Sequence, residues 1–138
     1  MNETAIDVRY TDCDSMGVVH HAVYPVWYEM ARMDLFNQSG FGYAHTHTLG
    51  LDPAMVHLEL DYAAPVRFPG CVTVRTRLTL CEGKKLGFSY EVWPSDTGAS
   101  SKPCATAKSF HIWVRDGKSF DVDREQPEIF AAYRKMMD

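Results

Sequence analysis

Apolar side chains alternate with polar ones in five stretches of the chain, which is the period of β-strands with one buried face. These predicted strands cover residues 6–10, 56–62, 72–80, 86–92 and 104–114. The third and fourth flank a turn that contains Gly83 and therefore predict a β-hairpin. In the fifth, the alternation slips near Lys108 and Ser109, which indicates a bulge. The Asp-Gly pair that follows predicts a turn into a short strand around Phe120.

The first two runs assign specific side chains to the buried face. In the first run these are Ile6, Val8 and Tyr10. In the second run, the most regular of the five, they are Val56, Leu58, Leu60 and Tyr62. Residues 95–103, between the fourth and fifth strands, read as a polar loop.

Two segments have a helical period instead. From Tyr24 to about Gln38 the apolar residues fall almost all round a helical wheel, which is typical of a helix that other elements wrap. Pro25 suits the first turn of this helix, where its missing N–H is no loss. Residues 126–137 carry one apolar stripe and predict a surface helix on the sheet. The stripe consists of Ile129, Phe130, Tyr133 and Met137.

This order of elements predicts an α+β fold in one domain, residues 1–138, with a long helix against an antiparallel sheet of about five to six strands. A length of 138 residues with 46% hydrophobic residues is ample for one core. The net charge of -4 argues against nucleic acid as a partner. No apolar run is long enough to insert into a membrane. Four scattered cysteines and no signal-peptide pattern indicate a cytoplasmic protein with free thiols.

The stretch between the first strand and the long helix concentrates ionisable side chains. Asp12, Asp14 and Gly17 occupy the first, third and sixth positions of a calcium loop. The fifth and twelfth positions are Met16 and Val23, which supply no side-chain oxygen. The histidines have no spacing typical of a zinc site. We therefore expect no metal and no other cofactor.

A cysteine nucleophile is disfavoured as well. In an extended segment, Cys13 points away from the face that Asp12 and Asp14 share. Two flanking carboxylates also disfavour a thiolate. The sequence contains no phosphate-binding glycine loop and no G-x-S-x-G nucleophile motif. Cys13 is therefore expected to be a small buried residue.

Asp14 remains, as a carboxylate in a loop that leads to the N-terminus of the long helix. The first amides of a helix have no partner inside it, and together with the helix dipole they can bind a developing oxyanion. Asp14 could attack a carbonyl carbon held there, or draw a proton from an attacking water. The alternative is that Asp12 and Asp14 only accept hydrogen bonds from loop amides. The residues alone leave both interpretations open.

Two blocks of sequence resemble a known family. RYTDCDSMGVVHHAVYPVWYEMAR, residues 9–32, resembles the D-x-D-x-x-G-x-V-x-H-x-x-Y and Y-E-x-A-R signature of the 4-hydroxybenzoyl-CoA thioesterase branch of the hotdog-fold superfamily. It is especially similar to the Tol-Pal-associated acyl-CoA thioesterases. LELDYAAPVRFPGCVTVRTRLT, residues 58–79, resembles the second block of that family, a strand ending in D-Y-x-x-P before the long hairpin.

The resemblance implies a hotdog fold, in which the sheet wraps the helix of residues 24–38, and a homo-oligomer that is either a dimer or a tetramer built as a dimer of dimers. It also implies hydrolysis of an acyl-CoA or acyl-carrier-protein thioester in a cleft at the dimer interface. The rival interpretation is a hotdog protein that binds acyl-CoA without catalysis, as a sensor or carrier. A binder needs no carboxylate at the carbonyl, so the retained motif favours the enzyme.

The resemblance also assigns roles to residues. Asp14 matches the catalytic carboxylate, acting as general base or nucleophile. His21 matches the histidine at the helix entrance that helps to hold the thioester carbonyl. Gly17, Tyr24 and Glu29 match positions that bind substrate or shape the site. The acyl group and the residues that bind the CoA phosphates are not selected by the motif.

Two matched residues are expected to support the structure. Asp12 braces the loop. Glu29 stands three residues before Arg32, a spacing at which the two can pair on the helix. His20 occupies a position that is more often aromatic in the family, and we assign it no catalytic role.

Overall fold

An antiparallel sheet of six strands confirms the predicted α+β architecture. The computed structural model describes residues 1–95 and 101–137. In chain order its elements are β1 (Asn2–Asp7), a 3-10 helix (Tyr10–Asp12), α1 (Val23–Gln38), α2 (Tyr43–Thr48), β2 (Asp52–Tyr62), β3 (Cys71–Glu82), β4 (Lys85–Pro94), β5 (Ala105–Arg115), β6 (Lys118–Ser119), α3 (Val122–Glu125) and α4 (Pro127–Arg134). The strands follow the order β1-β3-β4-β5-β2, and β6 pairs with β5. Strands β1 and β2 are therefore the two edge strands of this order.

Helix α1 packs one face on the sheet and leaves another face open. Its buried side chains are Tyr24, Trp27, Tyr28, Ala31, Leu35 and Phe36. The ring of Tyr28 lies against that of Tyr90 in β4, with centroids 4.7 Å apart. On the open face Val26 and Met30, about one turn apart, are 49% and 48% exposed. The expectation that other elements wrap the helix on nearly every side is therefore wrong here, because the sheet of one chain covers only the opposite side.

The first predicted strand ends earlier than its alternation indicates. Ile6 and Val8 are buried, as predicted. Tyr10, predicted on the same buried face, is 77% exposed. The reason is that β1 stops at Asp7 and the backbone then turns into the short 3-10 helix, which takes Tyr10 off the strand period.

The second predicted strand, β2, is longer and more exposed than expected. A bulge between Met55 and His57 shifts its register against β5. Val56 and Tyr62, both predicted to be buried, are 57% and 47% exposed. Because β2 is an edge strand, even its apolar positions are only partly covered within one chain.

The bulge predicted near Lys108 and Ser109 is wrong. Both residues pair in unbroken register with β2 on one side and β4 on the other. The inner face of β5 instead buries two polar side chains, Ser109 and His111, which are 0% and 2% exposed. Phe110 faces away from the core and is 36% exposed. The apolar pattern is therefore interrupted because polar side chains occupy buried positions, and the backbone of β5 remains regular.

Other predicted elements are confirmed. The hairpin is β3 and β4, and the turn before β6 is formed by Asp116 and Gly117, both with positive φ. The C-terminal helix α4 buries Ile129 and Tyr133. The predicted polar loop falls largely on residues 96–100, which lie outside the described residues. No helix in the described ranges is both long and apolar enough to cross a membrane.

Candidate active site

Asp14 lies at the start of a tight turn between the 3-10 helix and α1. Its amide donates to the carbonyl of Val18 at 2.9 Å, and its own carbonyl accepts from the amide of Gly17 at 3.1 Å. Gly17 has a φ of +75°, a conformation that costs a side-chain-bearing residue about 1 kcal/mol or more. A bridge between Cys13 and Val19 closes the base of the turn. This Asp14 turn is therefore a miniature hairpin whose shape requires a glycine.

Only one of the two carboxylate oxygens of Asp14 is hydrogen-bonded within the turn. Oδ1 accepts a hydrogen bond from the amide of Met16 at 2.8 Å, which is the loop-bracing contact that the sequence left as an alternative. Oδ2 makes no hydrogen bond with the described residues. The side chain is partly buried. The contact with Met16 therefore fixes the orientation of the carboxyl group, and Oδ2 is the oxygen that it leaves without a partner among the described residues.

Asp12 braces the segment, as expected. Its side chain is 1% exposed and accepts hydrogen bonds from the backbone amide and the guanidinium of Arg9 at 2.8 to 3.1 Å. Burial alone raises the pKa of a carboxyl group, but the hydrogen bonds and the charge of Arg9 outweigh it and hold the pKa of Asp12 below its usual value. The carbonyl of Asp12 accepts from the amide of His20 at 2.8 Å, which ties the loop to the entrance of α1.

The entrance of α1 presents backbone donors. The amide of Ala22 donates to Nδ1 of His20, and the amide of Val23 donates to the carbonyl of His20. The amides of His21 and Tyr24 donate to no atom of the described residues. These two N–H groups lie at the start of the sixteen-residue helix α1, where the helix dipole favours negative charge.

Asp14, His21 and Tyr24 line one cavity of about 350 Å³. The rest of its lining comes from the Asp14 turn and from the end of β2 with the segment that follows. Tyr24 is 3% exposed, and burial, together with the nearby Cys104 and Tyr62, raises its pKa to about 12. Its hydroxyl therefore stays protonated at neutral pH. The cavity combines an ionisable carboxylate, the start of a helix and an aromatic wall.

Tyr62 also lines this cavity, whereas the sequence pattern predicts only a buried strand residue at this position. Its hydroxyl donates to the carbonyl of His21 at 2.8 Å, and its ring meets that of Tyr24 edge-on at 5.0 Å. Burial raises the pKa of Tyr62, so it acts as a hydrogen-bond donor. The sequence feature that could have identified Tyr62 as a site residue is the D-Y-x-x-P block. Its tyrosine ends β2 at the point where the strand reaches the helix entrance.

Glu29, an expected site residue, and Arg32, its expected partner, lie outside the cavity that contains Asp14. Glu29 is exposed and lines different cavities, further along α1, so the structure does not bring it to Asp14. Arg32 donates to the hydroxyl of Tyr90 at 3.1 Å instead of pairing with Glu29. The pairing expected from their spacing is therefore wrong, because the side chain of Arg32 turns toward the sheet and donates to Tyr90.

All four cysteines are free thiols, and Cys13, expected to be buried, is only partly buried and packs against the edge of the core. Within residues 1–95 and 101–137, no three His, Cys, Asp or Glu side chains come together in a way that could hold a metal ion.

Comparisons with known proteins find matches among thioesterases. A family model described as the thioesterase-like superfamily matches residues 8–132. The chain is 30% identical to YneP of Bacillus subtilis, named as a proposed acyl-CoA thioesterase, over 98% of this chain and 96% of that one. It is 28% identical to the acyl-CoA thioester hydrolase YbgC of Escherichia coli, over 63% of this chain and 65% of that one.

The fold is also that of solved thioesterases. The structure of the DHNA-CoA thioesterase from Staphylococcus aureus superposes with a TM-score of 0.88, covering 96% of this chain and 88% of that one at 27% identity. The hotdog architecture implied by the sequence resemblance is thereby confirmed.

Proposed function

The chain belongs to the thioesterase-like superfamily, and from this membership we propose that it hydrolyses an acyl-CoA thioester to the free acid and the thiol, with Asp14 as the catalytic carboxylate. The observation that carries this assignment is the shared cavity of Asp14 and the start of α1. Relatives named as acyl-CoA thioester hydrolases support the reaction class. The thioester of an acyl carrier protein presents the same reacting bond and is a second candidate substrate.

In the proposed mechanism the thioester carbonyl lies on the amides of His21 and Tyr24. These donors, together with the dipole of α1, stabilise negative charge on the carbonyl oxygen as the tetrahedral intermediate forms. Oδ2 of Asp14 then acts in one of two ways. It either draws a proton from a water that attacks the carbonyl carbon, or attacks that carbon itself to form an anhydride that water later hydrolyses. In both routes the tetrahedral intermediate collapses with cleavage of the C–S bond and CoA leaves as the thiolate. The thiolate takes up a proton from the protonated Asp14 in the general-base route and from water in the nucleophilic route.

The supporting residues keep this arrangement rigid. The Met16 amide holds Oδ1 of Asp14, so the carboxyl group does not have to be ordered during the reaction. The hydroxyl of Tyr62 holds the carbonyl of His21, which fixes the peptide units that carry the proposed oxyanion donors. Gly17 supplies the positive φ of the Asp14 turn.

The active protein is proposed to be a dimer or a dimer of dimers. Two features support this: β2 is an edge strand with partly exposed apolar residues, and α1 leaves Val26 and Met30 exposed. An edge strand offers unpaired backbone groups to a second copy. Light scattering at several protein concentrations tests this. A monomer at all concentrations would contradict the proposal. The free thiols of all four cysteines support a cytoplasmic location.

A thiol-release assay tests the proposed function. Short, long, branched and aromatic acyl-CoAs are supplied to the wild-type protein, and free CoA is measured with a thiol reagent. We expect turnover of at least one acyl-CoA. Binding of acyl-CoA without release of CoA, for every acid tested, would instead favour the non-catalytic sensor or carrier.

A second experiment tests for the nucleophilic route. A single turnover in ¹⁸O-water, with enzyme in excess over substrate, is followed by mass analysis of the peptide that contains Asp14. The nucleophilic route places ¹⁸O in the aspartate carboxyl group when water attacks the carboxyl carbon of the aspartate, whereas the general-base route leaves the peptide unlabelled. Label in the aspartate therefore identifies the nucleophilic route, whereas an unlabelled peptide excludes attack of water on the aspartate carbon.

A further inference from the structure

A second cavity adjoins the one that contains Asp14. It has a volume of about 460 Å³ and shares the wall formed by residues 63–65 with the Asp14 cavity. Hydrogen bonds hold this wall in place, because the amides of Ala63 and Ala64 both donate to the carbonyl of Cys104. The other side of the second cavity is formed by Val66, Arg67, residues 69–71, Pro94 and residues 102–104. The two cavities are therefore neighbours on one surface, and one ligand can extend from the first into the second.

The second cavity is positively charged. Among its described lining residues, Arg67 and Lys102 are cationic and none is acidic. This is unusual for a chain whose net charge is -4. The cavity on the outer face of the sheet, for comparison, has three acidic and three basic residues in its lining. The second cavity is thus suited to an anionic ligand.

Arg67 is directly connected to the Asp14 turn. Its backbone forms a bridge with Val18, and the amide of Val19 donates to the carbonyl of Val66 at 2.8 Å. Nη1 of Arg67 lies 3.9 Å from the position that a Cβ on Gly17 would occupy. The guanidinium makes no hydrogen bond or ion pair with any described residue. Arg67 is therefore a cation beside the Asp14 turn, without a carboxylate partner among the described residues.

We propose that this second cavity binds the phosphate-bearing arm of a CoA thioester, with Arg67 and Lys102 as the residues that recognise the phosphates. The inference rests on the proposed thioesterase activity and adds the residues that select the CoA part of the substrate. The pantetheine arm separates the thioester of CoA from its phosphates. When the carbonyl lies at the helix entrance, the arm crosses the wall of residues 63–65 and the phosphates reach the cationic cavity. Guanidinium and ammonium groups both bind phosphate oxygens through charge-assisted hydrogen bonds.

The test compares two thioesters of the same acid. One is the acyl-CoA that the wild type hydrolyses best, and the other is the N-acetylcysteamine thioester, which has the same reacting bond and no phosphate. Steady-state constants are measured for the wild type and for Arg67→Gln, Lys102→Gln and the double variant. Lys84→Gln and Arg124→Gln, which remove exposed cations away from the cavity, are the matched controls.

We expect each cavity substitution to raise KM for acyl-CoA about tenfold, the cost of one charge-assisted contact, with little change in kcat. The constants for the N-acetylcysteamine thioester should stay within about twofold of the wild type. Arg67→Lys, which keeps the charge, should recover most of the affinity for acyl-CoA. Raising the salt concentration should raise KM for acyl-CoA in the wild type and have a smaller effect in the double variant.

Equal losses on both thioesters would overturn the inference, because they would mean that Arg67 and Lys102 support the fold or the chemistry. Unchanged constants for acyl-CoA would overturn it as well, and would leave the thioesterase activity intact. Failure of the proposed function looks different, since the wild type would then hydrolyse neither thioester. In that case titration of CoA into the wild type and the double variant still tests the cavity: equal binding by both refutes the phosphate site.

Discussion

Lowering the pH from 7 to 5 is expected to destabilise the protein through a buried histidine on the inner face of β5. His111 is 2% exposed, and both ring nitrogens have partners. Nε2 lies 2.8 Å from Oγ of Ser109, and Nδ1 lies 3.2 Å from the carbonyl of Pro53. The hydroxyl of Ser109 is also hydrogen-bonded to the hydroxyl of Tyr90, which in turn accepts a hydrogen bond from the guanidinium of Arg32. His111 is therefore one end of a buried polar chain whose other end carries a positive charge.

This environment favours the neutral ring. Burial and the positive charge of Arg32 lower the pKa of His111 from its usual 6.5 to about 4, although the carbonyl of Pro53 acts in the opposite direction. In the unfolded chain the ring takes up a proton near pH 6.5, whereas in the folded protein it does so only near pH 4. The unfolded state therefore binds more protons between these values, and stability is lost as the pH falls from about 6.5 to 4.

The size of the effect follows from the two pKa values. Between pH 7 and pH 5 the loss amounts to about 2 kcal/mol of the free energy of unfolding. Below about pH 4 this contribution no longer changes, because both states are protonated. A loss of this size is a substantial part of the total stability of an ordinary domain.

Urea unfolding at pH 7 and pH 5, at one fixed protein concentration, measures this loss. The control is His111→Gln, which keeps a polar side chain at the site and all five other histidines. We expect the wild type to lose about 2 kcal/mol more than the variant between the two pH values. A difference in absolute stability between the variant and the wild type does not affect this test, because only the change in the free energy of unfolding with pH is compared. The same loss in both proteins would refute the assignment of a lowered pKa to His111.

Other substitutions test the supporting structure. Tyr62→Phe removes the donor to the helix-entrance carbonyl and should lower the free energy of unfolding by about 1 kcal/mol and kcat several-fold, in denaturation and thiol-release assays. Gly17→Ala and Gly117→Ala each force a residue with a side chain into a positive φ, at a cost of about 1 kcal/mol. Only Gly17→Ala should also lower kcat, and equal activity of the pair would contradict the role of the turn. Phe36→Ala should cost about 3 to 5 kcal/mol of stability, because the ring packs between Phe88 and Tyr133. A cost below about 1 kcal/mol in thermal unfolding would contradict that packing.

Elements with a strong local period were predictable from the sequence. The β3–β4 hairpin and helix α4 each combine a regular apolar pattern with a recognisable start or turn, and they lie where the pattern indicates. The Asp14 turn was predictable as a candidate site, because the motif residues are close together in the chain. Local patterns are reliable when the partner surface lies within the same chain.

The features of the fold and the site that the sequence did not predict depend on contacts between residues distant in sequence. Val56 is apolar but exposed, since its strand lies at the edge of the sheet, and no local pattern gives the strand order. Ser109 and His111 interrupt the apolar period because they are buried with Tyr90 and Arg32, residues from two other elements. Tyr62 reaches the carbonyl of His21 across 41 positions of the chain. Such pairings are set by tertiary structure.

Replacement of Asp14 by Asn tests the central claim most directly. Asn is isosteric and can still accept the Met16 amide through its side-chain oxygen, so the turn should persist. The matched control is Asp7→Asn, which removes an exposed carboxylate at the end of β1. Thiol release from the preferred acyl-CoA is measured for all three proteins, with the melting temperature as a check on folding. We predict that kcat falls at least about 100-fold in the Asp14 variant and stays near the wild-type value in the control. Near-normal hydrolysis by a folded Asp14→Asn protein would contradict the account.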